Sequence, residues 1–316
     1  MKRHIEGDTM YEVDFSKPIH IHFIGIGGIS MSGLAEILLK EHFTISGSDA
    51  KESDLTRHLA SLGAQVFYGQ KAENMIPGID LVVYTAAIHP DNPEFAAAKA
   101  AGIPMLTRAE LLGQIMRNYD TPIAVSGTHG KTTTTSMLSH ILLAGELDPT
   151  ISVGGILKAI GGNIRVGNSE YFVTEACEYT NSFLHFFPKI GVILNIDEDH
   201  LDFFKDLADI RNSFHRFAKL LPKDGTLVIN DNIPDLEEIT ADLDCRVIRY
   251  GNDSSLDNCI VCHFQKYLTK SHISSPLFVV LLITASCIAG GLRFREYVSY
   301  SYPLIRLNYL CFFALS

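Results

Sequence analysis

The stretch TPIAVSGTHGKTTTTSMLSHILLAGE, residues 121–146, decides the fold of the chain around it. A short apolar run at residues 123–125 is typical of a buried strand, and it leads into a turn of small residues. A helix is predicted after this turn, because apolar side chains recur there at helical spacing. These side chains are Met137, Leu138, Ile141 and Leu142. The stretch therefore predicts a strand, a glycine loop and a helix in direct succession.

This succession is typical of a loop that holds the phosphates of a nucleoside triphosphate. Glycines let backbone N–H groups approach phosphate oxygens, and the helix N-terminus adds partial positive charge. Lys131 is predicted to neutralise the terminal phosphates, and Thr132 to hold the magnesium ion that they share. The predicted nucleotide-binding residues are Gly127, Thr128, Gly130, Lys131, Thr132 and Thr133. The usual P-loop has four residues between its glycines and this loop has two, so a plain glycine turn before a helix stays an alternative.

A second glycine-rich turn lies upstream, directly after a predicted strand at residues 19–24. Gly25, Gly27 and Gly28 form this turn, and a helix is predicted to follow it. The next strand, at residues 43–46, is followed by Asp49, about where a dinucleotide fold places its ribose-binding acid. The third glycine of the dinucleotide fingerprint would fall at Ser30, so nicotinamide is not implied. We therefore predict a Rossmann-like domain that binds a pyrophosphate-bearing ligand. The alternative is a glycine turn that binds no ligand.

Strands and helices continue to alternate up to residue 116, as expected of a parallel sheet. The predicted helices cover residues 53–62, 93–101 and 109–116, and the predicted strands cover residues 65–68, 80–85 and 103–106. A polar break at residues 117–120 then precedes the strand of the phosphate loop. We place a domain boundary there, between residues 118 and 119.

Two predicted strands downstream end in acidic residues. The strand at residues 171–174 leads into Glu175, and the strand at residues 190–196 leads into DEDHLD, which contains His200. Open α/β sheets bind ligands at the carboxyl ends of their strands, and oxygen ligands such as Glu175 suit magnesium. His200 could complete or orient that site, although solvated surface acids and a structural histidine are the alternatives. Asp197, Asp199 and Asp202 are weaker candidates that could instead cap a helix.

Three further features complete the regular part of the chain. Small-residue turns are predicted at Gly154, Gly155, Gly161 and Gly162. Two more strands are predicted, at residues 225–230 and 245–249. Regular α/β patterning ends there.

Composition restricts the class of protein. A chain of 316 residues has room for two domains, and its net charge of -10 argues against non-specific binding of nucleic acid. No secretory signal opens the chain, and the first 258 residues show no paired cysteine spacing. We therefore predict a cytoplasmic location.

The composition changes near Asn258. Residues 1–258 contain 21 Lys and Arg against 35 Asp and Glu, whereas residues 259–316 contain 5 against 1. The apolar run from Leu277 to Leu292 is short for a membrane span, so membrane contact is not expected, and a buried helix is a second alternative. We favour a third interpretation, in which residues 259–316 are a frameshifted or wrongly predicted tail. Cys259 and Cys262 lack a second pair, so a zinc site is not expected.

Six motifs, in their order and spacing, resemble those of the Mur ligases of bacterial cell-wall synthesis. They are FIGIGGISMSGLAEIL, GSD, TRAELL, GTHGKTTTT, EACEYTNSFLHFFP and NIDEDHLDFF. The resemblance covers roughly residues 18–258. In this family the phosphate loop has the compact form GTxGKT, which accounts for the short spacing of Gly127 and Gly130.

The resemblance implies three domains and one reaction. A Rossmann-like domain (residues 1–118) would hold a UDP-sugar, a central P-loop domain (residues 119–258) would bind ATP, and the third, which brings the amino acid, is missing. The implied reaction phosphorylates the carboxylate of UDP-N-acetylmuramate, and L-alanine attacks the resulting acyl phosphate. The family's Gly-His-Asn segment, which contacts adenine, is also missing, so this chain could be inactive.

The resemblance also implies roles for individual residues. Gly25, Gly27, Gly28 and Asp49 match the UDP-binding end, and His129 and Asn195 match positions near the reacting groups. Lys131 and a magnesium ion held by Thr132, Glu175 and His200 would neutralise the transferred phosphate. A non-catalytic module that binds UDP-sugar and ATP is the alternative, followed by a nicotinamide-dependent oxidoreductase. Oligomeric state is not predicted.

Overall fold

A computed structural model of the chain describes residues 10–85 and 87–251. The chain divides into two compact units, Met1–Ile115 and Met116–Ser316. The predicted domain boundary at residue 118 lies close to this division. The tail predicted from residue 259 onward, with its apolar run from Leu277 to Leu292, lies outside the described residues.

The first unit contains a five-stranded parallel sheet with the strand order β3-β2-β1-β4-β5. Its strands are β1 His20–Ile24, β2 Thr44–Asp49, β3 Gln65–Tyr68, β4 Leu81–Tyr84 and β5 Met105–Thr107. Its helices are α1 Ile29–Lys40, α2 Asp54–Ser61, α3 Pro93–Ala100 and α4 Arg108–Met116. The strand order reverses beside β1, and ligands bind open α/β sheets at such a switch point. The predicted Rossmann-like topology is confirmed.

Local sequence explains where these elements lie. β1 is the central strand, and Ile21, Phe23 and Ile24 are completely buried, as expected for a parallel strand covered on both faces. Helix α2 begins with a capping box in which Ser53 and Thr56 bond each other's backbone N–H groups. Helix α3 begins at Pro93 after Asn92, whose side chain accepts from the N–H groups of the first turn.

The second unit contains a seven-stranded sheet with the order β12-β11-β10-β6-β9-β7-β8, and all its pairings are parallel except that of β7 with β8. Its strands are β6 Thr121–Ser126, β7 Thr150–Leu157, β8 Gly162–Arg165, β9 Tyr171–Glu175, β10 Ile190–Ile193, β11 Thr226–Asn230 and β12 Arg246–Tyr250. Its helices are α5 Lys131–Ala144, α6 Leu207–Ala218 and the short α7 Glu237–Thr240. The predicted P-loop type of parallel sheet is confirmed.

The structure corrects the prediction of small-residue turns at residues 154–162. Gly154 and Gly155 lie inside strand β7, which forms an antiparallel hairpin with β8, and only Gly161 lies in the turn between them. Ile151 and Val153 point into the core at alternate positions, which is the pattern of a strand. The glycines concealed this pattern because they are uncommon inside strands.

No helix within residues 10–85 and 87–251 is long and apolar enough to cross a membrane.

Candidate functional site

The glycine loop of the second unit lies between β6 and α5, at the carboxyl end of a strand flanked by β10 and β9. Gly127 has a φ of +140°, and a Cβ atom there would lie 2.9 Å from the Cβ of Leu194. Gly130 has a φ of +83° and precedes the first residue of α5, Lys131. Both positions therefore need glycine, for backbone conformation and, at Gly127, for space.

Asn195 fastens this loop to the chain that follows β10. Its side-chain oxygen accepts from the N–H of His129 at 2.8 Å, and its side-chain nitrogen donates to the carbonyl of His129 at 3.0 Å. The backbone N–H of Thr128 donates to the carbonyl of Asn195 at 3.2 Å, and the Oγ1 of Thr128 accepts from the N–H of Asp197 at 2.9 Å. Strand β10 ends at Ile193, earlier than predicted, and Asn195 lies in the segment that follows it. His129 and Asn195 are thus brought together through the backbone of the loop.

Lys131 is held by acceptors of its own protein. Its Nζ donates to the carbonyls of Gly127 at 2.7 Å and Thr128 at 3.2 Å, and to the two carboxylate oxygens of Glu178 at 2.8 and 3.1 Å. The side chain of Glu178 is only 2 % exposed. This nearly buried ion pair lies directly beside the predicted phosphate-binding loop.

Glu178 is a residue that the sequence analysis did not select. The sequence shows an acid three positions beyond Glu175, after the end of β9, but gives no sign that it is buried. Burial of a carboxylate is costly unless a cation and hydrogen bonds compensate it. Its pairing with Lys131 therefore marks Glu178 as part of the same site.

Two of the three predicted magnesium ligands are in contact. The Oγ1 of Thr132 donates to the Oε2 of Glu175 at 2.9 Å. The other oxygen, Oε1, accepts from the N–H of Gly154 at 2.6 Å, and a Cβ atom on Gly154 would lie 3.0 Å from Oε2. The glycine in β7 therefore leaves the room that the Glu175 carboxylate occupies.

The side chain of His200, the third predicted ligand, lies beside Asp199, Glu178 and Tyr179. Its Nε2 lies 3.8 Å from the Oε1 of Glu178, and its ring lies 4.6 Å from the ring of Tyr179, measured between centroids. The hydroxyl of Tyr179 donates to Asp202 at 2.8 Å, and this hydrogen bond raises the pKa of Tyr179. Asp199 accepts from the backbone N–H of His200 at 2.7 Å, a local turn contact, whereas the N-cap of the following helix α6 is Asp206.

The donor set suits magnesium better than a metal that needs several side chains. Within residues 10–85 and 87–251, no group of three His, Cys, Asp or Glu side chains could hold a metal ion. Magnesium, however, keeps several waters and commonly takes one or two carboxylates together with phosphate oxygens. The hydroxyl of Thr132 and the carboxylate of Glu175 are hard oxygen ligands side by side, so they fit this ion.

The first turn of α5 completes the site. Thr132 and Thr133 are exposed there, whereas Thr134 and Thr135 are buried against the unit. The N–H groups of a first helical turn have no acceptor within the helix, and they carry the positive end of its dipole. An anionic group of a ligand could therefore bind these N–H groups close to Lys131.

The glycine turn of the first unit is held by strand β2. The carbonyl of Ser48 accepts from the N–H groups of Gly25 at 2.8 Å and Ile26 at 2.9 Å, and the Oδ2 of Asp49 accepts from the N–H of Gly27 at 2.9 Å. A Cβ atom on Gly27 would lie 2.7 Å from Oδ2 of Asp49, so glycine is required there. Gly28 precedes α1 as its N-cap residue. The three predicted glycines therefore lie in one turn at the amino end of α1, and Asp49, at the end of β2, is hydrogen-bonded to that turn.

Two family models match this chain. Residues 20–120 match the model described as Mur ligase family, catalytic domain, and residues 125–279 match the Mur ligase middle domain. The second match extends beyond residue 258, where the composition changes, so the tail interpretation stays a prediction.

Curated proteins of one name are similar to the chain. UDP-N-acetylmuramate--L-alanine ligase of Agathobacter rectalis is 70% identical over 248 residues, which are 78% of this chain and 54% of that protein. The protein of the same name from Lachnospira eligens is 65% identical over 244 residues, 77% of this chain and 53% of that protein. The chain thus spans about half the length of the curated relatives it matches.

Two solved structures resemble the chain. The UDP-N-acetylmuramate:L-alanyl-gamma-D-glutamyl-meso-diaminopimelate ligase of Neisseria meningitides has a TM-score of 0.68 at 30% identity, covering 74% of this chain and 78% of that one. The UDP-N-acetylmuramate-alanine ligase of Thermotoga maritima has a TM-score of 0.63 at 31% identity, covering 74% of this chain and 53% of that one.

Proposed function

Because this chain belongs to the Mur ligase family, we propose that the whole protein joins L-alanine to the carboxylate of UDP-N-acetylmuramate at the expense of ATP. The observation that carries the proposal is the contact of Thr132 with Glu175 beside the Lys131 loop. That arrangement provides a cation, oxygen ligands and a helix N-terminus at the carboxyl ends of two neighbouring strands, β6 and β9, as phosphoryl transfer requires. The 70% identity to a relative of that name supports the choice of substrates.

The proposed reaction has two steps. An oxygen of the substrate carboxylate attacks the terminal phosphorus of ATP, and ADP leaves, so that an acyl phosphate forms. The amine of L-alanine then attacks the acyl carbon, and phosphate leaves as the amide bond forms. A carboxylate is a poor electrophile, and phosphorylation supplies the leaving group that it lacks.

Lys131 would act on the phosphates by its charge. To reach them, its Nζ has to give up acceptors of its own protein, above all Glu178. Phosphate oxygens would replace those acceptors, and Lys131 would neutralise charge that develops during transfer. Asn195 and Thr128 would keep the loop backbone in place through the hydrogen bonds that join them to His129 and Asp197.

Thr132 and Glu175 would hold magnesium, and His200 stays proposed as the third ligand. Bound magnesium would draw charge from the phosphate oxygens and orient them for in-line transfer. Gly25, Gly27, Gly28 and Asp49 would hold the UDP end of the substrate in the first unit. Both substrates are charged metabolites, so we also propose a cytoplasmic location.

The second candidate function is a binding module without catalysis. The observation that favours it is that the matched part of the chain covers only about half the length of the curated relatives. Under this proposal, the chain binds UDP-sugar and ATP but forms no amide. A nicotinamide-dependent oxidoreductase would leave the Lys131 loop and Glu175 without a role, and we do not propose it.

Product formation tests the first candidate against the second. The chain is incubated with ATP, magnesium, UDP-N-acetylmuramate and radiolabelled L-alanine, and the same assay is run after the C-terminal part of the Agathobacter rectalis relative has been joined to it. The ligase proposal predicts labelled product from the joined protein. Binding of both nucleotides by the chain without product would support the module for this chain alone. Absence of product from a folded, nucleotide-binding joined protein would rule out the ligase.

A further inference from the structure

Glu94 is a buried acid that none of the roles above uses. It lies in the first turn of α3 and is completely buried. Its Oε2 accepts from the hydroxyl of Ser48 at 2.5 Å, and its Oε1 accepts from the side-chain nitrogen of Asn74 at 2.5 Å. The two oxygens of one carboxylate thus connect two separate segments of the first unit.

The Ser48 contact leads to the glycine turn. Ser48 is the last residue of β2 but one, and its carbonyl accepts from both Gly25 and Ile26. Its neighbour Asp49 accepts from the N–H of Gly27. A displacement of Ser48 would therefore move the acceptors that hold the turn on both sides of Ile26.

The Asn74 contact leads to the same aspartate from another direction. The side-chain nitrogen of Asn74 also donates to the carbonyl of Gly69 at 2.8 Å. The N–H of Gly69 in turn donates to the backbone carbonyl of Asp49 at 2.8 Å. Glu94 is thus connected to Asp49 by two hydrogen-bonded paths, one through Ser48 and one through Asn74.

Glu94 also lies close to a buried histidine. The Nε2 of His22, a completely buried residue of β1, lies 3.8 Å from Oε2 of Glu94, and His22 Nδ1 lies 2.9 Å from the hydroxyl of Ser46. Burial by itself would raise the pKa of Glu94, but His22, Ser48 and Asn74 together lower it, so the carboxylate is ionised at neutral pH. An ionised acid is costly inside a protein, and apolar residues often fill such a place with no loss of stability.

We propose that Glu94 is a positioning residue for the UDP-binding turn, which it holds through Ser48 and Asn74. The inference rests on the proposed binding of UDP by Gly25, Gly27, Gly28 and Asp49. It adds that the acid which prepares this turn lies beneath it, on a different helix, and touches no ligand. The carboxylate is suited to this because it accepts two hydrogen bonds at once, whereas an amide presents one acceptor and one donor.

Calorimetric titration of the whole chain with uridine diphosphate tests the proposal. Glu94→Gln keeps the size of the side chain but presents a donor to one of the two partners. We expect it to weaken UDP binding about tenfold, since a lost hydrogen bond to a charged group costs at least that factor. Binding of ADP by the second unit of the same protein should stay within about twofold of the wild type, since that site does not use Glu94.

Ser48→Ala supplies a second variant that needs no change at Glu94. We expect it to weaken UDP binding about threefold, since it breaks one path and leaves the other. In the double variant the two effects should be less than additive, because Ser48→Ala removes a hydrogen bond that Glu94 itself accepts. Full additivity of the two losses would contradict the proposed path.

Gln114→Leu is the matched control. Gln114 is a buried polar residue of α4. Its side chain is hydrogen-bonded to the backbone of Tyr11 and Val13 and not to the glycine turn. It should lower the temperature of unfolding but leave UDP affinity unchanged. If Glu94→Gln bound UDP as tightly as the wild type, the role of Glu94 would be wrong while the proposed UDP site would stand. The same would follow if Gln114→Leu lost as much UDP affinity as Glu94→Gln. Failure of the wild type to bind UDP would instead overturn the proposed UDP site on which the inference depends.

Discussion

At the scale of single residues, the central feature of the second unit is the pair formed by Lys131 and Glu178. The lysine is the residue that the sequence marks for phosphate, and the structure gives it a nearly buried acid as partner. An arriving phosphate has to compete with that carboxylate. We therefore expect Glu178 to lower the affinity of the loop for the proposed nucleotide while it keeps the lysine in place.

Glu178→Gln should strengthen the binding of metal-free ADP by about threefold or more. The amide is neutral, so the loop loses a negative charge next to the phosphates and the lysine is released more easily. Titration calorimetry without magnesium measures the change. Asp199→Asn, a neutralised acid that bonds the backbone of His200, serves as control and should have a smaller effect. Weaker ADP binding in Glu178→Gln would contradict the competition.

At the scale of elements, the loop between β6 and α5 depends on close backbone approach. Gly127→Ala should lower the free energy of unfolding by about 3 kcal/mol, because its left-handed φ and the 2.9 Å approach to Leu194 both oppose a side chain. Urea denaturation measures the loss. Gly162→Ala is the matched control: no atom lies within 4 Å of the Cβ it would introduce, and we expect it to change stability little. A similar loss in both variants would show that the close approach is not the cause.

The hairpin β7–β8 is fastened by Asp148, which precedes β7. Arg165 of β8 pairs with its carboxylate, as do the backbone and side chain of Asn168, and these bonds lower the pKa of Asp148 to about 2. A lowered pKa means that the ionised form stabilises the fold above the ordinary pKa of 3.8 and that this contribution disappears as the pH falls through about 2.

Asp148→Asn should therefore be less stable than wild type at pH 7, and the difference should narrow as the pH falls below about 4. Chemical denaturation at a series of pH values measures both proteins. Arg165→Gln removes the main partner of the acid and should show the same narrowing. If the difference in free energy of unfolding between Asp148→Asn and wild type did not change with pH, the charge of Asp148 would contribute nothing to stability.

At the scale of the whole molecule, the chain consists of two α/β units, each with a glycine turn at the amino end of a helix. The family predicted from six motifs is confirmed by the matches to both Mur ligase models. The curated relatives are about twice as long as the matched part, which therefore corresponds to about half of such a protein.

Substitutions in the two units should separate the two nucleotides. Lys131→Ala should weaken ATP binding at least about tenfold and leave UDP binding unchanged, because the charge-assisted contacts to phosphate are lost in one unit only. Asp49→Asn should do the reverse, since it changes the carboxylate that holds Gly27. Calorimetry of both variants with both ligands gives the comparison. Unchanged ATP affinity in Lys131→Ala would contradict the role of the loop.

Sequence by itself determined the alternation of strands and helices, the two glycine turns and the acid at the end of β9. These features depend on local periodicity and on residue types with unusual backbone freedom, and both are visible along a chain. The hairpin β7–β8 was missed because its glycines resemble turns in the sequence, which does not show that Gly154 makes room for the carboxylate of Glu175.

Tertiary structure alone decided which distant residues meet. The placement of β6 between β9 and β10 brings Glu175 and Asn195 to the same loop, and no local pattern specifies that order. The burial of Glu178 against Lys131 and of Glu94 against Ser48 and Asn74 has the same origin, because an acid in the sequence carries no sign of its surroundings. The energy of a charge depends on what surrounds it, and only the packed fold supplies those surroundings.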